Sequence, residues 1–366
     1  MCRADRNDAA AVAAHQINVR VRFECEAHGQ YDTDIVTELV FVLTDFSAPE
    51  SSDTAGARPR LPLLEMLLAR SRATTLSCDW RGWLAASAAP AALGEFSVAA
   101  IARAAFVGPT HTKPETTGYW LATPVHLFAG LDSVHVHPAG LLQLTAEEQQ
   151  TLVSDFAHVF FDSSWRLEAI GQRDLLLAGP LIDACGADPA GFKGADPTAG
   201  LPRGPAAGTL RRLGSEIEMW LFEHAINRAR EARGELPVTT LWLWGAQRCD
   251  APRLPISAAT LTDPLLFGRD AYAEALWRLQ GRTTLGLTAA LEAIDATPMR
   301  LTSDTVVLIE GLTELEHRWL PGALRALRGR RLSGLSVVAG AREFRLSALS
   351  LKRFWRKCVP WWEALI

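Results

Sequence analysis

The chain has 366 residues, 48% of them hydrophobic and 21% charged, with a net charge of −4. That balance supplies a sizeable core and excludes a wholly disordered chain. The scattered cysteines (Cys2, Cys25, Cys78, Cys185, Cys249, Cys358) lack CxxC spacing, and no apolar run approaches the roughly 18 residues of a membrane span. They read as reduced thiols. The expectation is a cytoplasmic protein with no membrane partner.

Residues 1–35 read as an N-terminal extension, partly disordered, with one edge strand at Ile17–Cys25, where apolar and polar residues alternate. Leu39–Leu43 is a continuous apolar run, the pattern of a buried parallel strand. Asp45 lies at its carboxyl end, where open α/β sheets place ligands. Leu61–Arg70 predicts a helix, and Arg81–Ala105 further helix with breaks at Pro90 and Gly94. Gly118–Leu127 and Ser133–His137 read as strands. Thr145 and Glu148 form a capping box for a helix reaching Phe160, and Asp162–Gly179 reads as a hairpin. Residues 180–208, dense in Gly, Pro and Ala, suit either a linker or a long functional loop.

The stretch Glu216–Gln247 organises the rest. It predicts one amphipathic helix, with Leu213, Ile217, Trp220, Leu221, His224 and Asn227 on one stripe. Gly234 and Pro237 end it. Leu241–Trp244 is apolar on both faces and predicts a central strand, which places Gln247 beside a second candidate ligand loop. Polar His224 and Asn227 on a buried stripe, with Glu216 nearby, either line a pocket or are satisfied within the core. Two helices, a strand at Thr305–Glu310, another helix at Gly311–Arg328 and a hairpin at Leu335–Leu346 complete the pattern. Helices alternating with short apolar strands argue for α/β.

The segments 118–127 (GYWLATPVHL), 216–245 and 312–329 (LTELEHRWLPGALRALRG) resemble a proteobacterial family labelled Rpf E-type regulatory protein or phosphoglycerate mutase-like. The family is distantly similar to archaeal-type cofactor-independent phosphoglycerate mutase, of the alkaline-phosphatase superfamily. The resemblance implies an alkaline-phosphatase-like α/β fold: a mostly parallel central sheet flanked by helices, with a C-terminal β-hairpin. It implies one large domain over 36–357, followed by a Trp-rich tail at 358–366. The family's pattern is departed from in three places. The usual Asn is Thr239 or Thr240, the glycine-rich loop is Ala246-Gln247, and the usual Ala-Asp-Pro-Val-His is Ala122–His126, with Thr123 in place of Asp.

Phosphoryl transfer in that superfamily uses two divalent metals held by Asp and His. The Asp-x-x-x-His and Asp-His arrangements that supply the later ligands do not occur in this chain. His126, His135 and His137 share neighbouring strands and number enough to bind zinc, yet no carboxylate or cysteine at ligand spacing supports them. No metal and no cofactor is therefore expected. Residues 318–357 carry eleven Lys/Arg against one acid, which leaves about −14 on the remainder. Arg330, Arg331, Arg342, Lys352, Arg353 and Arg356, interleaved with Phe354 and Trp355, are candidates for binding nucleic acid or another polyanion. The sequence reading is a catalytically degenerate, regulatory or small-ligand-binding protein. Its ligand, in this reading a phosphorylated one, would sit near Asp45, His126, Glu216, His224, Asn227 and Gln247. An active mutase or phosphohydrolase and a nucleic-acid-associated protein are the alternatives.

Overall fold

The structure is a computed structural model that describes residues 37–46, 58–89, 93, 96–108, 117–130, 133–171, 173–246, 261, 263–296, 301 and 303–365. The expected strand at Ile17–Cys25 and the candidate Gln247 lie outside the described residues. No described helix is long and apolar enough to cross a membrane.

The strands are β1 (Glu38–Leu43), β2 (Arg72–Thr75), β3 (Thr117–Ala129), β4 (Val134–Leu141), β5 (Arg166–Ile170), β6 (Asp174–Pro180), β7 (Thr240–Trp244), β8 (Leu265–Phe267), β9 (Thr305–Ile309), β10 (Gly334–Ala339) and β11 (Arg342–Ser347). The principal helices are α1 (Pro62–Arg70), α2 (Trp80–Ala88), α3 (Val98–Phe106), α4 (Ala146–Val159), α5 (Ala207–Phe222), α6 (Ala225–Ala232), α7 (Ala271–Leu279), α8 (Leu287–Asp295) and α9 (Leu320–Arg328).

The strands form two sheets. The first runs β2-β11-β10-β1-β9-β8. Its β10, β1, β9 and β8 are parallel, whereas β11 and β2 run antiparallel at one edge. The expected C-terminal hairpin is β10–β11, and its first strand lies inside this sheet. The second sheet, β4-β3-β6-β5 with β7 also on β3, is antiparallel throughout. The architecture is thus mixed α/β, and the single mostly parallel sheet expected from sequence is corrected to two.

The largest correction concerns β7. It pairs with β3 in the second sheet and not with the first sheet at all. Leu121 of β3 pairs with Leu176 on one side and with Trp244 on the other, so β7 borders β3 opposite β6. Every β7 residue is nevertheless buried. Trp242 and Trp244 pack in the core shared with the first sheet, while Leu241 and Leu243 face α4 and α5. Burial on both faces therefore arises from layering and not from a central place in the sheet.

Alternation along β1 divides the first sheet's two faces. Leu39, Phe41 and Leu43 pack with α1, α8 and α9; Val40 and Val42 pack with α2, α3, α7 and the second sheet. Trp120, Trp277 and Trp319 are fully buried. Each such side chain removes a large apolar area from water, about 25 cal/mol for every Å². Helix α1 begins after Leu61, which cannot cap it. The buried carboxylate of Glu316 substitutes by accepting the Leu63 and Leu64 amides, each at 2.8 Å. Glu316 lies in a π-helical turn, Leu315–Trp319.

The single long helix expected over 216–233 is two helices. It starts earlier, at Ala207, and breaks at Glu223–His224. Asn227 donates to the Leu221 carbonyl at 2.8 Å, taking up an oxygen that an unbroken helix would use itself. The His224 side chain then caps α6 through the Ile226 amide. The capping box of α4 forms as the sequence indicates. Its Glu148 also receives Arg230 (2.9 Å) and Arg233 (2.6 Å), joining α4 to α6.

Residues 181–206 form an ordered strap carrying two short 3-10 turns. Cys185 and Arg203 exchange backbone hydrogen bonds, and the indole N–H groups of Trp120 and Trp242 donate to the Ala184 and Ala187 carbonyls. Those bonds tie the segment to β3 and β7.

Candidate functional site

A cavity of about 200 Å³ lies where the carboxyl end of β1 meets the second sheet. Thr44, Asp45 and Glu310 come from the first sheet's strand ends, Thr123 and Trp244 from β3 and β7, and Asp188, Pro189, Ala190 and Lys193 from the strap. The carboxyl ends of β1 and β7 thus open into one space although they belong to different sheets. Asp174, Arg269 and Asp270 line it from the side.

Arg81 is the best-buried charge in this wall, with 5% of its surface exposed. One guanidinium nitrogen donates to Asp188 and the other to Asp270 at 2.7 Å. Its carbon lies 4.2 Å from the Trp80 ring centroid and 4.7 Å from that of Trp244. Burial opposes the charge, but the two carboxylates outweigh it and raise the Arg81 pKa above its ordinary value. Asp270 also caps α7 through the Tyr272 and Ala273 amides. The ion cluster is therefore built into the packing of α2, α7 and the strap.

Lys193 reaches Glu310 at 3.2 Å and Asp45 at 3.5 Å. The other oxygen of Asp45 accepts the Gly311 amide at 2.9 Å. Gly311 has φ +84°, a backbone conformation that side chains disfavour, so glycine suits this close turn after β9. Thr123 accepts the Trp244 indole N–H at 2.8 Å. Arg269 pairs with Glu274 at 3.6 Å.

Asp174 differs from these. Its carboxyl has no hydrogen-bond partner among the described residues, and its pKa is pushed up to about 7. Burial is the main cause, followed by the nearby Asp270 and Glu274 charges. A carboxyl titrating near neutrality in a cavity wall can hold or release a proton under physiological conditions. Neither Asp174 nor Arg81 stands out in the sequence. The only local hint is an arginine between Trp80 and Trp83 on an otherwise apolar helix face.

Of the candidates raised from sequence, Asp45 lines this cavity. Among the described residues, His126, Glu216, His224 and Asn227 do not line it. His126 donates from Nδ1 to the Pro237 carbonyl at 2.9 Å. His135 bonds Ser133, and His137 accepts the Ala139 amide, so these rings are used within their own hairpin. Glu216 is exposed on α5. His224 faces Asp155 at 3.2 Å; burial lowers its pKa, and Asp155 offsets this in part. Asn227 bonds Leu221 once and the Val238 backbone twice, all at 2.8 Å, and so ties α6 to the chain entering β7. Asn227→Ala strands these buried backbone groups. It is expected to cost about 2 kcal/mol, read as a lower urea midpoint at unchanged slope.

The two metals that the resemblance implies do not fit these residues. The cavity lining contains no imidazole, and among the described residues no group of three His, Cys, Asp or Glu side chains could hold a metal ion.

The basic C-terminal candidates divide. Arg342 donates to the Ala364 carbonyl. Arg353 and Arg356 donate to carbonyls at the end of α1: Arg353 to Arg70, and Arg356 to Ala69 and Ser71. Arg330 and Lys352 line a separate open basin, and Arg331 lies exposed beside a smaller one with Asp295.

No protein-family model matches this sequence, and no curated protein matches it. Among solved structures, the chain is similar to a cofactor-independent phosphoglycerate mutase from Thermoplasma acidophilum DSM 1728. Identity there is 14% and the TM-score 0.32, covering 85% of this chain and 89% of that one. It is also similar to the PH0037 protein from Pyrococcus horikoshii, at 10% identity and a TM-score of 0.38, covering 85% and 87% of the respective chains. Likeness at this level assigns neither chemistry nor substrate.

Proposed function

We propose that this protein binds a small polar ligand in the cavity between its two sheets and does not carry out metal-dependent phosphoryl transfer. The observation that carries this reading is the pairing of the cavity's charges. Arg81, Lys193 and Arg269 are each engaged by carboxylates, whereas the Asp174 carboxyl has no hydrogen-bond partner among the described residues and only the charges of Arg269 and Arg173 nearby. A phosphate entering here would displace existing ion pairs and face the carboxylates of Asp45, Asp174, Asp188, Asp270 and Glu310. A ligand presenting an ammonium or hydroxyl donor would instead give Asp174 a hydrogen bond that no described residue supplies. The reading keeps the cytosolic, regulatory and catalytically degenerate character that the sequence resemblance implies, and it replaces the phosphorylated ligand with a donor-bearing one.

Calorimetric titration with ethanolamine, glycerol and 3-phosphoglycerate tests it. The amine is expected to bind more tightly at pH 8 than at pH 6, because Asp174 ionises between them and only the carboxylate attracts an ammonium. Asp174→Asn is expected to weaken amine binding about tenfold at pH 8. Tight binding of 3-phosphoglycerate, or its turnover with manganese, would overturn the proposal.

A further inference from the structure

The segment after β11 is tied to the end of α1 yet presents its apolar side chains outward. Arg353 and Arg356 grip the carbonyls at the end of α1, and Arg70 returns a bond to the Leu351 carbonyl at 2.8 Å. Between these anchors Phe354 is 79% exposed and Trp355 is 70% exposed, with Leu349 at 74% just before them. Large apolar side chains fixed in solvent are costly unless something covers them. Beside them lies a basin of about 560 Å³, lined by Arg328, Arg330, Lys352, Ala348, Leu349 and Leu351, with no acidic side chain. Arg330 sits at φ +56° in the turn after α9.

We propose that this face docks on an anionic lipid surface. Leu349, Phe354 and Trp355 would enter the headgroup–acyl boundary, and Arg328, Arg330 and Lys352 would receive lipid phosphates. Two weak signals of this kind, one apolar and one basic, together hold a protein at a membrane where either alone would not. Aromatic side chains are also the preferred occupants of that boundary. A single-stranded nucleic acid suits the face less well. The Phe354 and Trp355 rings are 5.5 Å apart but inclined at 80°, so they form a wedge and not parallel platforms for successive bases. Leu349 adds nothing to stacking. The expectation of no membrane partner, which rested on the lack of a spanning segment, does not bear on a peripheral contact of this type.

Sedimentation of the full chain with vesicles tests the proposal. Phosphatidylcholine vesicles containing phosphatidylglycerol are expected to bind it, pure phosphatidylcholine vesicles to bind it weakly, and high salt to release it. Arg330→Gln with Lys352→Gln is expected to lower partitioning roughly thirtyfold. Phe354→Ser with Trp355→Ser is expected to lower it at least as much. These exposed side chains can change without loss of the native circular dichroism spectrum, which is checked in parallel. Equal binding to both vesicle types, or none to either, overturns the proposal. Salt-sensitive binding of a single-stranded oligonucleotide in the absence of vesicle binding would assign the face to nucleic acid instead.

Discussion

Replacing Arg81 with leucine is expected to destabilise the protein by about 3–5 kcal/mol, measured as a fall in the urea midpoint at constant slope. The loss comes less from the missing attraction than from what stays behind. Asp188 and Asp270 would lose the counter-charge they share, beside Asp174, and the Trp80 and Trp244 rings would lose the guanidinium they flank. Asp188→Asn added to Arg81→Leu removes one of the stranded charges and should restore part of the stability. If the single variant loses less than about 1 kcal/mol, the ion cluster is solvated like a surface pair and the account of it as a buried structural element fails.

Asp174→Asn is expected to act in the opposite direction and only above acid pH. The ordinary carboxyl value is 3.8, while the folded protein holds this one near 7. Between those values the unfolded chain has released its proton and the native protein has kept it. Stability of the parent protein therefore falls as pH rises through this window and levels off above it. Asparagine does not titrate, so the variant escapes the loss. At pH 8 it should be more stable than the parent by up to about 4 kcal/mol, and the difference should shrink toward zero near pH 4. Parallel stability curves for parent and variant across pH 4–8 would contradict the assigned titration. A group that costs the fold this much at neutral pH, in a cavity wall, is the kind of strain kept for ligand contact.

Local patterns in the sequence carried local structure well. The apolar run of β1, the strand at Thr305–Ile309 and the capping box of Thr145 and Glu148 depend only on neighbouring residues, and each was legible. What failed depended on distant chain or on local bonds that leave no pattern in the sequence. Leu241–Trp244 is apolar on both faces because a second sheet packs against it, and no periodicity distinguishes that from a central strand. The break at His224 depends on an Asn227 amide bond to Leu221 that a helical stripe does not announce. Alanine at the cap position of α5 left its true start without a signal.

The candidate site was legible mainly at Asp45, through the general rule for strand ends. Arg81 could not be assigned, because its partners stand 107 and 189 residues away in the chain. His224 and Asn227 attracted attention as buried polar groups. Here that burial serves the joint between α6 and β7, and the cavity lies elsewhere.

The strap at 181–206 supplies Asp188, Pro189, Ala190 and Lys193 to the cavity, while its own attachment rests on Trp120 and Trp242. Two jobs are thereby separated along the chain. The indole anchors, the sheets and the Arg81–Asp188 pair maintain the framework, and Lys193 adds a cation to the cavity. Exchanging Lys193 would change the charge that Asp45 and Glu310 meet across the cavity while leaving the indole anchors of the strap in place.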